Sequence, residues 1–149
     1  MKIALGSDHL GFGLKNYIAE HLRNLGIEFR DFGVHSEDPV DYPDIAVEVC
    51  EAIAAGDFDR GILICGTGLG MAIAANKVPG IRAGACHDIY SAERLKKSND
   101  GQVLTLGSRV IGKENAVFIV DAWLNSEFEG RSVEKVRKLK ELDQKKVTS

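Results

Sequence analysis

Apolar and polar residues along the chain alternate between two spacings. Short, mostly apolar runs at residues 2–6, 28–32, 60–65, 82–86 and 103–106 have the length and composition of strands. Between the first two, Leu14, Ile18, Leu22 and Leu25 recur at helical spacing and stop at Gly26, which predicts a helix over 14–25. Asp41-Tyr-Pro43 opens a second helix through Ala55, with proline near the first turn, where its missing N–H costs nothing. The pattern predicts further helices over 70–77, 89–97 and 115–124, with Pro79-Gly80 as a turn. A last amphipathic helix over 133–143 places Val133, Val136, Leu139 and Leu142 three residues apart. Five strands each followed by a helix predict a three-layer α/β/α fold with a five-stranded parallel sheet. No repeat, low-complexity tract or linker interrupts residues 1–149, which read as a single domain. Ligands of such sheets bind outside the carboxyl ends of the strands. That rule selects Ser7-Asp-His9, Asp31–Val34, Cys65–Gly70, Cys86-His-Asp88 and Gly107-Ser-Arg109 as site loops.

Composition narrows the chemistry. The net charge of −3 argues against nucleic acid as the main partner, and the tail lysines are interleaved with Glu134, Glu141 and Asp143 as on a solvated helix face. No run reaches the roughly 18 apolar residues of a membrane span, and Met1-Lys-Ile-Ala leads straight into a strand pattern, so a cytoplasmic protein is expected. Three cysteines, Cys50, Cys65 and Cys86, are an odd number without a C-x-x-C pair, which disfavours a disulfide framework or a zinc site. No His/Cys/Asp/Glu group has metal-ligand spacing, so metal-free chemistry without a cofactor is expected.

The stretch Ile62-Leu-Ile-Cys-Gly-Thr-Gly-Leu-Gly70 ends an apolar strand in a cysteine and then places three glycines within five residues. Such a loop serves a positive φ or a close approach of main chain to ligand. Three familiar loops are disfavoured. Gly6-Ser-Asp-His-Leu-Gly11 has P-loop spacing, but Phe12-Gly13 replace its Lys and Ser/Thr. Gly66-Thr-Gly68-Leu-Gly70-Met71 lacks the third glycine of a dinucleotide fingerprint at the required spacing and follows the wrong strand. A thiol phosphatase would close the loop with arginine, where Met71 stands. What remains is a set of amides able to hold a phosphate or a developing oxyanion. Cys65 beside it reads as a nucleophile, as a base for a proton α to a carbonyl, or as a small buried hydrophobe. His9 and His87 stand on the same edge, suited to a phosphate or hydroxyl and equally to capping or core roles. His21 reads as surface and His35 as loop. Arg109 and Arg131 are loop arginines suited to phosphate or to solvent.

Taken together, Gly6-Ser-Asp-His9, Asp31-Phe-Gly33, Asp41-Tyr-Pro43, Ile64-Cys-Gly-Thr-Gly68, Ala74-Ala-Asn-Lys-Val-Pro-Gly-Ile-Arg82, Ser98-Asn-Asp100, Leu106-Gly-Ser-Arg109 and Val120-Asp-Ala-Trp123 resemble, in order, the ribose-5-phosphate isomerase B and galactose-6-phosphate isomerase family. The resemblance covers nearly the whole chain. It implies a Rossmann-like fold, homodimers or dimers of dimers, a C-terminal helix reaching the partner subunit, and metal-free interconversion of aldose and ketose phosphates. It also implies roles. Cys65 resembles the family's base, shuttling a proton between C1 and C2 through a cis-enediolate, and the Gly66, Gly68 and Gly70 loop resembles its anion hole. Met71 stands where a glutamate base occurs in the related form lacking this cysteine. Thr67 is similar to the hydroxyl residue beside the base. Asp8, His9, Tyr42 and His87 join the substrate-binding set, Asn99 resembles a contact from the partner subunit, and Arg109 and Arg131 resemble phosphate ligands. Lys135 stands where the family often has a second C-terminal arginine.

One departure matters. The family usually places His immediately before this Asn, and that His opens the furanose ring; here it is Ser98, a poor acid–base group near neutral pH. The reading that follows is a pentose phosphate isomerase acting on ribose 5-phosphate and ribulose 5-phosphate. A tetrose phosphate isomerase and a non-catalytic sugar-phosphate binding subunit are the alternatives, and His87 is a candidate replacement for the missing ring opener.

Overall fold

The computed structural model describes residues 1–148, with side chains as far as Lys145. In chain order the elements are β1 (Lys2–Ser7), a 3₁₀ turn (His9–Gly11), α1 (Phe12–Asn24), β2 (Glu28–Asp31), α2 (Tyr42–Ala54) and β3 (Arg60–Cys65). Then follow α3 (Leu69–Ala75), β4 (Ala83–Ala85), α4 (Ile89–Lys97), β5 (Val103–Gly107), α5 (Lys113–Leu124) and α6 (Val133–Thr148). The expected strands and helices all form, with ends displaced by a few residues, as helix and strand termini commonly are. The 3₁₀ turn was not expected: Asp8 makes it, its Oδ1 accepting from the amides of Leu10 at 3.0 Å and Gly11 at 3.1 Å.

The five strands form one sheet in the order β2-β1-β3-β5-β4, every pair parallel. β3 is buried along its whole length, which is why its sequence is a continuous apolar run instead of an alternating one. Alternate residues feed two cores. Ile3, Leu5, Ile62, Ile64, Leu104 and Leu106 pack with Ile18, Leu22 and Trp123 from α1 and α5. Ala4, Leu63, Cys65 and Val103 pack with Val49, Cys50 and Met71 from α2 and α3. Each fully buried aliphatic side chain contributes about 1.5–3 kcal/mol relative to exposure. The order of strands reverses between β1 and β3, which opens the crevice where this class of sheet takes its ligands.

α6 lies partly against its own chain. Val136 is buried, and Asp143 accepts a hydrogen bond from the Gly80 amide at 3.0 Å. Val133, Leu139 and Leu142, in the same apolar stripe, remain 57%, 42% and 50% exposed. Among the described residues no helix is long and apolar enough to cross a membrane.

Candidate active site

Cys65 ends β3 at the switch point, nearly buried, and its sulfur accepts the Gly68 amide at 3.2 Å. A thiolate accepts such a bond more strongly than a thiol does. Gly68 reaches this position with φ = +79°, and a Cβ there would lie 2.9 Å from the Leu106 carbonyl carbon, so glycine is required twice over. The loop is pinned to the residues around β5. Ser108 donates to the Cys65 carbonyl at 2.9 Å, Arg109 to that of Gly66 at 3.0 Å, and the Thr105 hydroxyl to that of Gly68 at 2.7 Å. Thr67 is exposed and its Oγ1 accepts from the Leu69 amide at 3.2 Å, which leaves its own proton available to donate.

Around this loop the fold gathers most of the expected residues. Gly70 lies beneath the Tyr42 ring, where a Cβ would fall 2.5 Å from Cζ and 2.9 Å from the phenol oxygen. A Cβ on Gly66 would sit 3.1 Å from Leu10 Cδ1 and 3.8 Å from Arg109 Cδ, so the 3₁₀ turn and Arg109 flank the cysteine loop. Asp8 donates its amide to the Ile64 carbonyl at 3.2 Å. His9 Nδ1 accepts the Val40 amide at 3.2 Å, placing the neutral ring's proton on Nε2.

His87 is also on this edge. Its Nε2 accepts the Gly107 amide at 2.9 Å, so the ring proton sits on Nδ1. Burial lowers its pKa from the ordinary 6.5, opposed by the Asp88 charge. Taking up a second proton would break the Gly107 bond. Of the other two thiols, burial pushes Cys50 up to about 12, and burial with the Asp88 charge pushes Cys86 up to about 11. Both stay protonated and inert.

Ser98, Asn99 and Arg131 are elsewhere. α4 starts after the carboxyl end of β4 and runs back, so Ser98 and Asn99 stand just before β5, at the amino edge of the sheet. The six residues of β3 at about 3.3 Å each put roughly 20 Å between the two edges. Ser98 caps α4, and its Oγ accepts Arg94 Nε at 2.7 Å. Arg131 meets Glu129 at 3.4 Å, and Lys135 is exposed on α6. One chain therefore does not bring this group to Cys65. A cleft of about 390 Å³ lies on that side, lined by Asn76, Arg82, Asn99, Leu139 and Leu142 among others. Another of about 350 Å³ adjoins His87, Val110 and Phe118. Neither includes Cys65.

Three residues escaped the sequence reading. Lys15 is fully buried, its ammonium on Asp31 Oδ1 and Oδ2 at 2.8 and 2.7 Å and on the Val34 carbonyl at 2.6 Å. Gly33 and Val34 in turn exchange hydrogen bonds with Ser7, immediately before Asp8. A lysine three residues before Ile18, on the buried face of α1, was the available signal. Arg94 and Glu129 carry no signal in the sequence. His21, expected as surface, bonds Asp121 Oδ1 at 2.6 Å across α1 and α5.

A cysteine and an amide-rich loop thus lie at the switch point of a parallel sheet, where this class of fold takes its ligands. The chain belongs to the Ribose/Galactose Isomerase family, whose pattern matches residues 3–139. It is 52% identical over 146 residues to "Ribose-5-P isomerase B" of Listeria innocua, covering 97% of this chain and 99% of that one. It is 50% identical over 142 residues to "D-erythrulose-4-phosphate isomerase" of Pectobacterium atrosepticum, covering 93% of each. The Clostridium thermocellum ribose-5-phosphate isomerase B structure superposes with a TM-score of 0.95 at 51% identity, covering 97% of this chain and 99% of that one.

Proposed function

We propose that the chain interconverts an aldose phosphate and its ketose, with Cys65 moving a proton between C1 and C2 through a cis-enediolate. The observation that carries this reading is the Cys65 sulfur at the β1/β3 crevice with an amide donated to it and a glycine loop around it. Cys65 removes the proton next to the carbonyl, and the amides of the Gly66–Gly70 loop hold the oxyanion that develops. The Thr67 hydroxyl donates to a substrate oxygen. Asp8, His9 and Tyr42 hold the open chain, and Arg109 its phosphate.

The active unit in this reading is a homodimer in which Ser98, Asn99, Arg131 and Lys135 complete the partner's site. Their place at the far edge of the sheet and the exposed Val133, Leu139 and Leu142 of α6 support it. The geometry favours a tetrose 4-phosphate over a pentose 5-phosphate. In a pentose 5-phosphate the C4 hydroxyl closes a furanose on C1, so the aldose arrives cyclic and must be opened. In a tetrose 4-phosphate that oxygen carries the phosphate, and no furanose forms. Opening needs a group that gives and takes protons. Ser98 is engaged by Arg94, and His87 commits Nε2 to the Gly107 amide. Both names occur among the relatives. The test is isomerisation of C4, C5 and C6 aldose phosphates side by side. The expected result is kcat/KM for erythrose 4-phosphate at least about tenfold above that for ribose 5-phosphate, a difference of about 1.4 kcal/mol. The reverse order assigns the pentose, and no turnover of any of them removes the isomerase reading.

A further inference from the structure

The end of α4 holds an arrangement that proton transfer at Cys65 does not use. Arg94 donates from Nε to Ser98 Oγ at 2.7 Å, and its Nη2 forms an ion pair with Glu129 Oε1 at 3.0 Å. The other oxygen of Glu129 meets Arg131 Nη2 at 3.4 Å, and the Glu129 amide donates to the Lys97 carbonyl at 3.1 Å. Arg94 and Glu129 are half-buried, whereas the Arg131 side chain is 84% exposed. One planar guanidinium thus reaches a hydroxyl and a carboxylate at once, which a single ammonium on a flexible stem does poorly.

We infer that Arg94 is a specificity-determining positioning residue, fixing Ser98 as a hydrogen-bond donor to an open-chain substrate and, through Glu129, orienting Arg131. The inference rests on Ser98, Asn99 and Arg131 forming half of the substrate site. A hydroxyl has one proton and two lone pairs. Arg94 occupies a lone pair, so the proton points away from the guanidinium, and no acceptor for it is present among the described residues. Ser98 held in this way donates to a hydroxyl or carbonyl oxygen of the substrate. It does not collect a proton beside a permanent cation. The same cation acts against an imidazole at this position. Arg94 would hold one ring nitrogen as an acceptor, and its charge would oppose the protonated form. Arg94, one turn before Ser98, therefore decides whether position 98 can open a ring.

The test measures steady-state kinetics on erythrose 4-phosphate and ribose 5-phosphate, with a thermal melt for each protein. The proteins are wild type, Arg94→Lys, Arg94→Met, Ser98→His and the double variant Ser98→His/Arg94→Met. Both Arg94 variants should raise KM for erythrose 4-phosphate about tenfold, the effect of one charge-assisted hydrogen bond, with kcat changed less than about threefold. Arg94→Lys should melt close to wild type and still fail to restore KM, which separates positioning from folding. Ser98→His alone should gain less than about threefold on ribose 5-phosphate, and the double variant at least about tenfold more than that single variant. An unchanged KM in Arg94→Lys overturns the inference, as does equal ring-opening gain with and without Arg94. A wild type inactive on every aldose phosphate overturns the proposed function itself, whereas an active wild type with indifferent Arg94 variants overturns this inference alone.

Discussion

At the carboxyl edge of the sheet the candidate site is shaped by main chain; at the amino edge it is shaped by charged side chains. Around Cys65, three hydrogen bonds from Thr105, Ser108 and Arg109 fix the loop carbonyls, and Gly68, Gly70 and Gly107 sit where a Cβ would collide with backbone or with Tyr42. Around Ser98, Arg94 holds the hydroxyl and pairs with Glu129, whose other carboxylate oxygen meets the exposed Arg131. Under the proposed function the difference divides the tasks. An oxyanion that exists only during reaction is best met by dipoles that need not reorganise. A substrate's length and hydroxyl pattern can be read by side chains, which one substitution can change. The carboxyl edge should therefore tolerate almost nothing, and the amino edge should alter specificity before it abolishes activity.

The largest effect tests Cys65 as the proposed base. Cys65→Ala should lower kcat by about 100- to 10,000-fold, the usual loss on removing a general base, while a substrate-analogue titration shows binding largely kept. Turnover near wild type would remove Cys65 from the chemistry.

Next comes the rigidity of the main-chain edge. A Cβ on Gly107 would lie 2.5 Å from the Thr67 carbonyl carbon and 2.6 Å from its oxygen, with no flexible side chain to yield. Gly107→Ala should cost about 1–3 kcal/mol in denaturant unfolding and, by shifting the loop, about 100-fold in kcat. A variant of full activity would mean that the loop's position does not control the reaction.

The proposed sharing of the two edges between subunits predicts a smaller, restorative effect. In such a dimer, mixing Cys65→Ala with Asn99→Ala chains would leave one intact site. Activity should rise well above that of either parent, measured on heterodimers separated by tags. Failure in verified heterodimers would place both edges in service of the same subunit.

The smallest effect concerns His87. Its pKa is lowered in the folded chain, so below about pH 6.5 the unfolded chain binds this proton more readily than the folded one. Stability should fall as pH drops through that range, and His87→Gln, whose amide oxygen can still accept from Gly107, should flatten the slope. Urea midpoints between pH 7.5 and 5 would measure it, and an unchanged slope would mean that another group sets the acid limb.

Apolar spacing, punctuated by Gly26, Pro43 and Pro79-Gly80, determined the strands, the helices and their alternation, because burial in a doubly covered parallel sheet demands those runs. It also marked Cys65 and its glycine loop, since a costly cluster of glycines at a strand end has few uses. The family resemblance made Ser98 legible as a missing imidazole. Only the tertiary structure decided the rest. Asp8 caps a 3₁₀ turn that no periodicity announced. His87 meets an amide twenty residues away, which turned a candidate acid–base group into a fixed acceptor. Arg94 joins Ser98 to Glu129, and the two edges lie a strand's length apart. Spacing along a chain records which side of an element is buried; which polar atoms then meet depends on strand order and helix packing, and these exist only once the sheet has assembled.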